Sequence, residues 1–149
     1  MAAVPKPRAD AGAGLSIREV AARTGITTHT LRYYERIGLV QRVARARSGH
    51  RRYGDDDLRW LELLKKLHAT EMPIRRMLEY ARLVRRGDST VAARRALLDA
   101  HRVEVEAKLA RLKSTLEAIE RKLGFYDRAL AGEPVAAARG GVGRPVRGH

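Results

Sequence analysis

The sequence predicts a mostly α-helical protein in two parts, a helix-turn-helix head and a long C-terminal helix that pairs in a coiled coil. Three observations predict it. Ser16 and Glu19 form a capping box that opens a short helix, and a turn at Gly25 joins it to a second one. Arg42, Arg45, Arg47, Arg51 and Arg52 then lie between Leu39 and Tyr53 with no acidic residue among them. Finally, Val105, Leu109, Leu112, Leu116, Ile119, Leu123, Tyr126 and Leu130 recur at spacings of 4, 3, 4, 3, 4, 3 and 4, a heptad seam.

Residues 1–14 are rich in Ala, Pro and Gly without a hydrophobic period and read as a disordered arm. The first helix covers about 17–24, with Ile17, Val20 and Ala21 facing inward. Gly25 supplies the turn, Ile26 is a buried anchor, and Thr27 caps a second helix that Gly38 ends. In that second helix Leu31 and Tyr34 share one face, while His29, Arg32, Tyr33 and Arg36 stand at i, i+3, i+4 and i+7 on the other. Donors, cations and flat rings in one stripe suit a helix lying in a DNA groove. The arginines that follow suit a hairpin that contacts phosphate. A solvated basic surface is the plain alternative for both.

Asp55, Asp56 and Asp57 open a third helix, where negative charge suits the positive helix N-terminus and capping outweighs metal binding as the reading. That helix runs to about Thr70 with Leu58, Trp60, Leu61, Leu63, Leu64 and Leu67 on a broad apolar face. Pro73 at the first helical position starts a fourth, which runs through Ile74, Met77, Leu78 and Ala81 and ends near Gly87. Asp88 or Ser89 caps the last helix, where Leu98 is also in register with the seam and Arg102 is its one charged interruption. A helix of roughly 40 residues is about 60 Å long and cannot bury its stripe against a head of ~70 residues. The surplus meets a partner helix, most simply in a two-chain coiled coil. Gly124 weakens the seam's last turn by about 1 kcal/mol. The division expected is therefore arm 1–14, DNA-binding head 15–87, dimerisation helix 88–131 and flexible basic tail 132–149.

The net charge of +14 and the isoelectric point near 11.1 point to a polyanionic partner, most simply nucleic acid. The charge is uneven: residues 16–60 carry ten basic against five acidic side chains, residues 98–131 seven against six. Without Cys, disulfides, thiolate metal sites and thiol-based sensing are excluded. The five His are scattered without metal-ligand spacing, so neither a metal nor another cofactor is expected. No export signal or membrane-length apolar run is present, which places the chain in the cytoplasm, on the nucleoid, rather than in a membrane. No nucleophile–base pair, carboxylate dyad or phosphate-cradling Gly loop marks an enzyme.

The motifs I-R-E-V-A-A-R-T-G-I (17–26), T-L-R-Y-Y-E-R-I-G-L (30–39), G-H-R-R-Y (49–53), D-L-R-W-L (57–61) and T-E-M-P-I-R-R-M (70–77) follow one another in this order. With the terminal heptads, the chain resembles the MerR family of bacterial transcription regulators over about residues 15–130. The resemblance implies a winged helix-turn-helix, a second wing from helices three and four, and a homodimer made by an antiparallel coiled coil. It also implies a pseudo-palindromic promoter operator whose overlong spacer is bent and untwisted for RNA polymerase, a mechanism that draws on DNA deformability. Carried over by motif, Thr27, Thr28 and His29 stand at the reading end of the second helix, with Thr28 and His29 as base readers. Arg32 and Tyr33 contact backbone and groove, Arg51, Arg52 and Tyr53 grip phosphate from the wing, and Arg18 is a further phosphate contact. Leu98 joins the eight seam residues at the dimer interface.

The chain departs from the family in three ways. Val40, Gln41 and Arg42 follow the G-L pair where many relatives have Pro, so the wing's entry differs. The cysteines through which family metal sensors bind are missing. No large effector domain follows Leu130, so a small-molecule effector pocket would lie between the helix-four region and the partner's coiled coil, with Tyr80 and His101 as loose candidates. Two other functions compete with a promoter regulator. One is an architectural or excisionase-like protein that bends DNA, and the other is a coiled-coil adaptor whose basic surface meets acidic proteins.

Overall fold

The computed structural model describes residues 14–41 and 52–134. The expectations for the arm before residue 14, for Arg42, Arg45, Arg47 and Arg51, and for the tail from residue 135 lie outside the described residues. Five α-helices follow in chain order: α1 Ile17–Thr24, α2 Thr28–Arg36, α3 Asp55–Ala69, α4 Ile74–Arg85 and α5 Val91–Leu130. Among the described residues β pairing is confined to one antiparallel bridge between Leu15 and Tyr53. The chain divides into two compact units, one up to Val105 and one from Glu106.

Local chemistry sets the ends of the first two helices. Ser16 N–H donates to the Glu19 carboxylate at 2.6 Å and Glu19 N–H to Ser16 Oγ at 3.3 Å, the expected capping box. That bond from Ser16 holds the Glu19 carboxyl below its ordinary value. Gly25 ends α1 in the left-handed region at φ 74°, which an L side chain resists. Thr27 Oγ1 accepts from Thr30 N–H at 3.1 Å and caps α2. At the start of α3, Gly54 N–H donates to the Asp57 carboxylate at 2.8 Å, so Asp57 caps the helix, while Asp56 pairs with Arg59 one turn on.

One apolar core unites the first unit. Val20 of α1, Leu31 and Tyr34 of α2, Leu61 and Leu64 of α3, and Met77 and Ala81 of α4 are buried in it together with Leu39, Val40 and Tyr53. Trp60 is its largest fully buried side chain and stacks on Tyr80 with centroids 5.8 Å apart and planes 11° apart. Its indole N–H donates to the Leu39 carbonyl at 3.0 Å. Tyr80 is thus a core residue, and burial pushes its phenol up from the ordinary value.

Several expectations shift by a residue or a turn. Pro73 is the N-cap of α4, one position before the first helical residue, because its ψ of 143° is extended. The buried anchor of the α3–α4 turn is Met72, and Ile74 rotates outward to 38% exposure. Ile26 is half-buried against the core. Neither Asp88 nor Ser89 caps α5. A 3-10 turn over Asp88–Thr90 precedes it, and the Thr90 hydroxyl donates to the carbonyls of Leu83 and Gly87. The first fifteen residues of α5, which Val105 closes, belong to the first unit, whereas the expected boundary lay near Gly87. In this segment Leu97 and Leu98 pack against the core, and His101 lies 2.7 Å from the Thr70 hydroxyl. Leu98 is therefore half-buried against its own chain's core.

In the second unit α5 runs through Gly124 to Leu130. Leu109, Leu112, Leu116, Ile119, Leu123, Tyr126 and Leu130 are 50–87% exposed along it. Among the described residues no helix is long and apolar enough to cross a membrane.

Trp60→Phe keeps one aromatic ring but strands the buried Leu39 carbonyl and leaves a cavity where the pyrrole ring was, so it should lower unfolding stability by at least about 2 kcal/mol in a urea titration. A loss near zero would show that the indole N–H bond is not needed there.

Candidate nucleic-acid interface

α2 has nine residues, and two of them, Leu31 at 1% and Tyr34 at 6% exposure, anchor it to the core. The helical period then turns His29, Arg32, Tyr33 and Arg36 outward, and all four are exposed. The Arg36 guanidinium lies over the Tyr33 ring at 5.5 Å from its centroid, which presents a cation and a flat ring side by side. Thr28 is half-buried at the first turn, and Arg18 is exposed on α1. Arg36, at i+7 from His29, completes the exposed stripe.

The wing residues divide differently from the expectation. Tyr53 is 1% exposed, and its backbone exchanges two hydrogen bonds with Leu15, at 2.8 and 2.9 Å. A side chain so enclosed cannot reach a phosphate; it roots the segment in the core. Arg52 is half-buried, and its guanidinium donates to the Gly14 carbonyl at 3.1 Å, so it clamps the chain's entry. Gly14 therefore belongs to the folded head rather than to the arm. A Cβ on Gly14 would meet the Tyr53 carbonyl at 3.0 Å, which explains the close approach. Arg51 lies outside the described residues. Among the described residues no three His, Asp or Glu side chains are grouped to hold a metal ion.

This architecture matches known proteins. A model of the MerR HTH family regulatory proteins matches residues 15–83. An HTH-type transcriptional regulator of Haemophilus influenzae is 37% identical over 113 residues, spanning 76% of this chain and 84% of that one. The chain belongs to the MerR family. It is also 42% identical over 84 residues to the regulator AdhR of Bacillus subtilis, across 56% of this chain and 60% of AdhR. Among solved structures, HiNmlR is a MerR family regulator lacking the sensor domain, and it is bound to promoter DNA. HiNmlR superposes with a TM-score of 0.73 at 35% identity, over 81% of this chain and 92% of that one. A MerR family regulator from Listeria monocytogenes gives a TM-score of 0.75 at 33% identity, over 79% and 89% of the two chains. The chain is accordingly a DNA-binding transcription regulator of the helix-turn-helix class, mostly α, with the long C-terminal helix that the heptads predicted.

Thr27→Ala removes the acceptor at the start of α2 and should cost about 1 kcal/mol of stability in chemical unfolding. A change within the error of the titration would mean that water replaces the cap.

Proposed function

We propose that the protein is a cytoplasmic homodimer that places two copies of α2 in a pseudo-palindromic promoter operator and distorts the spacer between promoter elements for RNA polymerase. The exposed seam carries this reading. Seven large apolar side chains at heptad spacing, each at least half exposed, form a stripe of the kind that marks an interaction face in water. A second copy of α5 fits that stripe because its own is complementary. The head over residues 15–87 supplies DNA binding, α5 supplies the pairing, and the likeness to HiNmlR on promoter DNA supports the target.

Within the head, Thr28 and His29 read base edges from the first turn of α2, beside the cap at Thr27. Arg32, Tyr33 and Arg36 lie along the groove edge, and Arg18 and Arg51 meet phosphate. Arg52 and Tyr53 hold the base of the wing. Val105 and Leu109 to Leu130 form the seam, and Leu98 stands where it meets the core.

Two substitutions test the halves separately, using a duplex recovered by selection from a random-sequence pool. Arg32→Ala should weaken duplex binding at least about tenfold while sedimentation still shows a dimer; unchanged binding would favour a coiled-coil adaptor. Leu116→Asp buries a charge in the seam and should convert dimers to monomers, with operator affinity lost as a consequence. Unchanged sedimentation would refute the pairing.

A further inference from the structure

Where the chain leaves each helix of the helix-turn-helix, a side chain from α3 or α4 takes a backbone carbonyl. Lys65 Nζ of α3 donates to the carbonyl of Thr24, the last residue of α1, at 2.6 Å. Arg85 of α4 donates to the carbonyl of Gly38, just past α2, at 2.7 Å. Trp60 of α3 takes the next carbonyl, that of Leu39, at 3.0 Å. These bonds span 41, 47 and 21 residues, so they are tertiary contacts rather than local caps.

The amides at the same point are already used. Ile37 N–H donates to Tyr33, Gly38 N–H to Glu35, and both Leu39 and Val40 N–H to Tyr34, at 2.9–3.2 Å. Gly38 sits at φ 81° with open space where a Cβ would stand, so Gly38 itself is unpacked, while Leu39 and Val40 after it are buried in the core. The outside hold on that carbonyl comes from Arg85.

We propose that Arg85 and Lys65 are positioning residues for DNA recognition, which with Trp60 clamp the ends of α1 and α2 to the α3–α4 pair and set the angle at which α2 is presented. The proposal rests on α2 being the recognition helix. Cations suit these places because helix C-termini carry partial negative charge. Both contacts involve exposed or half-exposed groups, where a hydrogen bond adds little to global stability. Leu31 and Tyr34 anchor the helix and Leu39 and Val40 are buried just beyond it, so what a held carbonyl at Gly38 adds is direction, limiting how the end of α2 tilts on that anchor. α4 is itself tied to the start of α5, through Arg76 to Glu104 at 2.8 Å and Thr90 to Leu83. A displacement of α5 relative to the core would therefore reach α2 through Arg85.

Arg85→Met keeps the stem and removes the donor, Arg85→Lys keeps a donor, and Lys65→Met tests the α1 end. Amide hydrogen exchange on the full chain without DNA comes first. Affinity is then measured for a duplex recovered by selection and for its scrambled copy, across a salt series. The clamp predicts at least about threefold faster exchange at residues 38–40 in Arg85→Met. It also predicts about tenfold weaker discrimination between the two duplexes, with scrambled-duplex affinity and salt slope unchanged and most discrimination regained in Arg85→Lys. Equal weakening on both duplexes with a shallower salt slope would make Arg85 a phosphate contact and overturn the proposal. Unchanged exchange and discrimination would overturn it too. Faster exchange in a protein whose parent discriminates no duplex would instead sink the recognition role of α2. If Arg85→Met does not fold, Lys65→Met and Arg85→Lys carry the same comparison.

Discussion

A helix of nine residues does not hold its shape in water, because nucleation costs more than so few turns return. The rest of the head answers that constraint. α2 contributes two side chains to the core, and the core in turn is closed by Trp60, which stacks on α4 and holds the carbonyl that follows α2. One indole thus connects the burial that stabilises the head with the hydrogen bonding just past α2. The polar stripe of α2 faces solvent because the opposite face and both ends are committed elsewhere.

The same division explains where the charge goes. Arginines on the α2 stripe face solvent, whereas Arg52, Arg85 and Arg94 turn to backbone carbonyls. A basic composition therefore serves two purposes, attraction to a polyanion and capture of carbonyls at the ends of elements. In α5 the two units use one helix differently. Its first turns pack Leu97, Leu98 and His101 against the head, and its later turns leave the apolar seam in solvent.

What was legible in the sequence was local or periodic. The capping box at Ser16, the cap at Thr27, the glycine ends and the stripe of α2 each depend on residues within about two turns, and all stand where expected. The outcomes that differed depend on tertiary competition. Tyr53 carries the residue type of a phosphate grip, but the core encloses it, and Leu98 at a seam position packs part of its surface on the core. Asp88 and Ser89 fall in a 3-10 turn ahead of α5, beside Thr90, whose hydroxyl bonds carbonyls at the end of α4. Lys65 and Arg85 gave no signal at all, since nothing in a sequence marks a cation that meets a carbonyl more than 40 residues away.

Paired recognition helices at a fixed separation require a symmetric target at a particular place. Sequencing the genomic fragments that the purified full-length protein retains tests this most directly. The predicted result is an inverted repeat, with half-sites at one constant spacing, lying between promoter elements whose spacer is longer than polymerase prefers. Fragments that share no repeat, or that fall without regard to promoters, would contradict a dimeric promoter regulator.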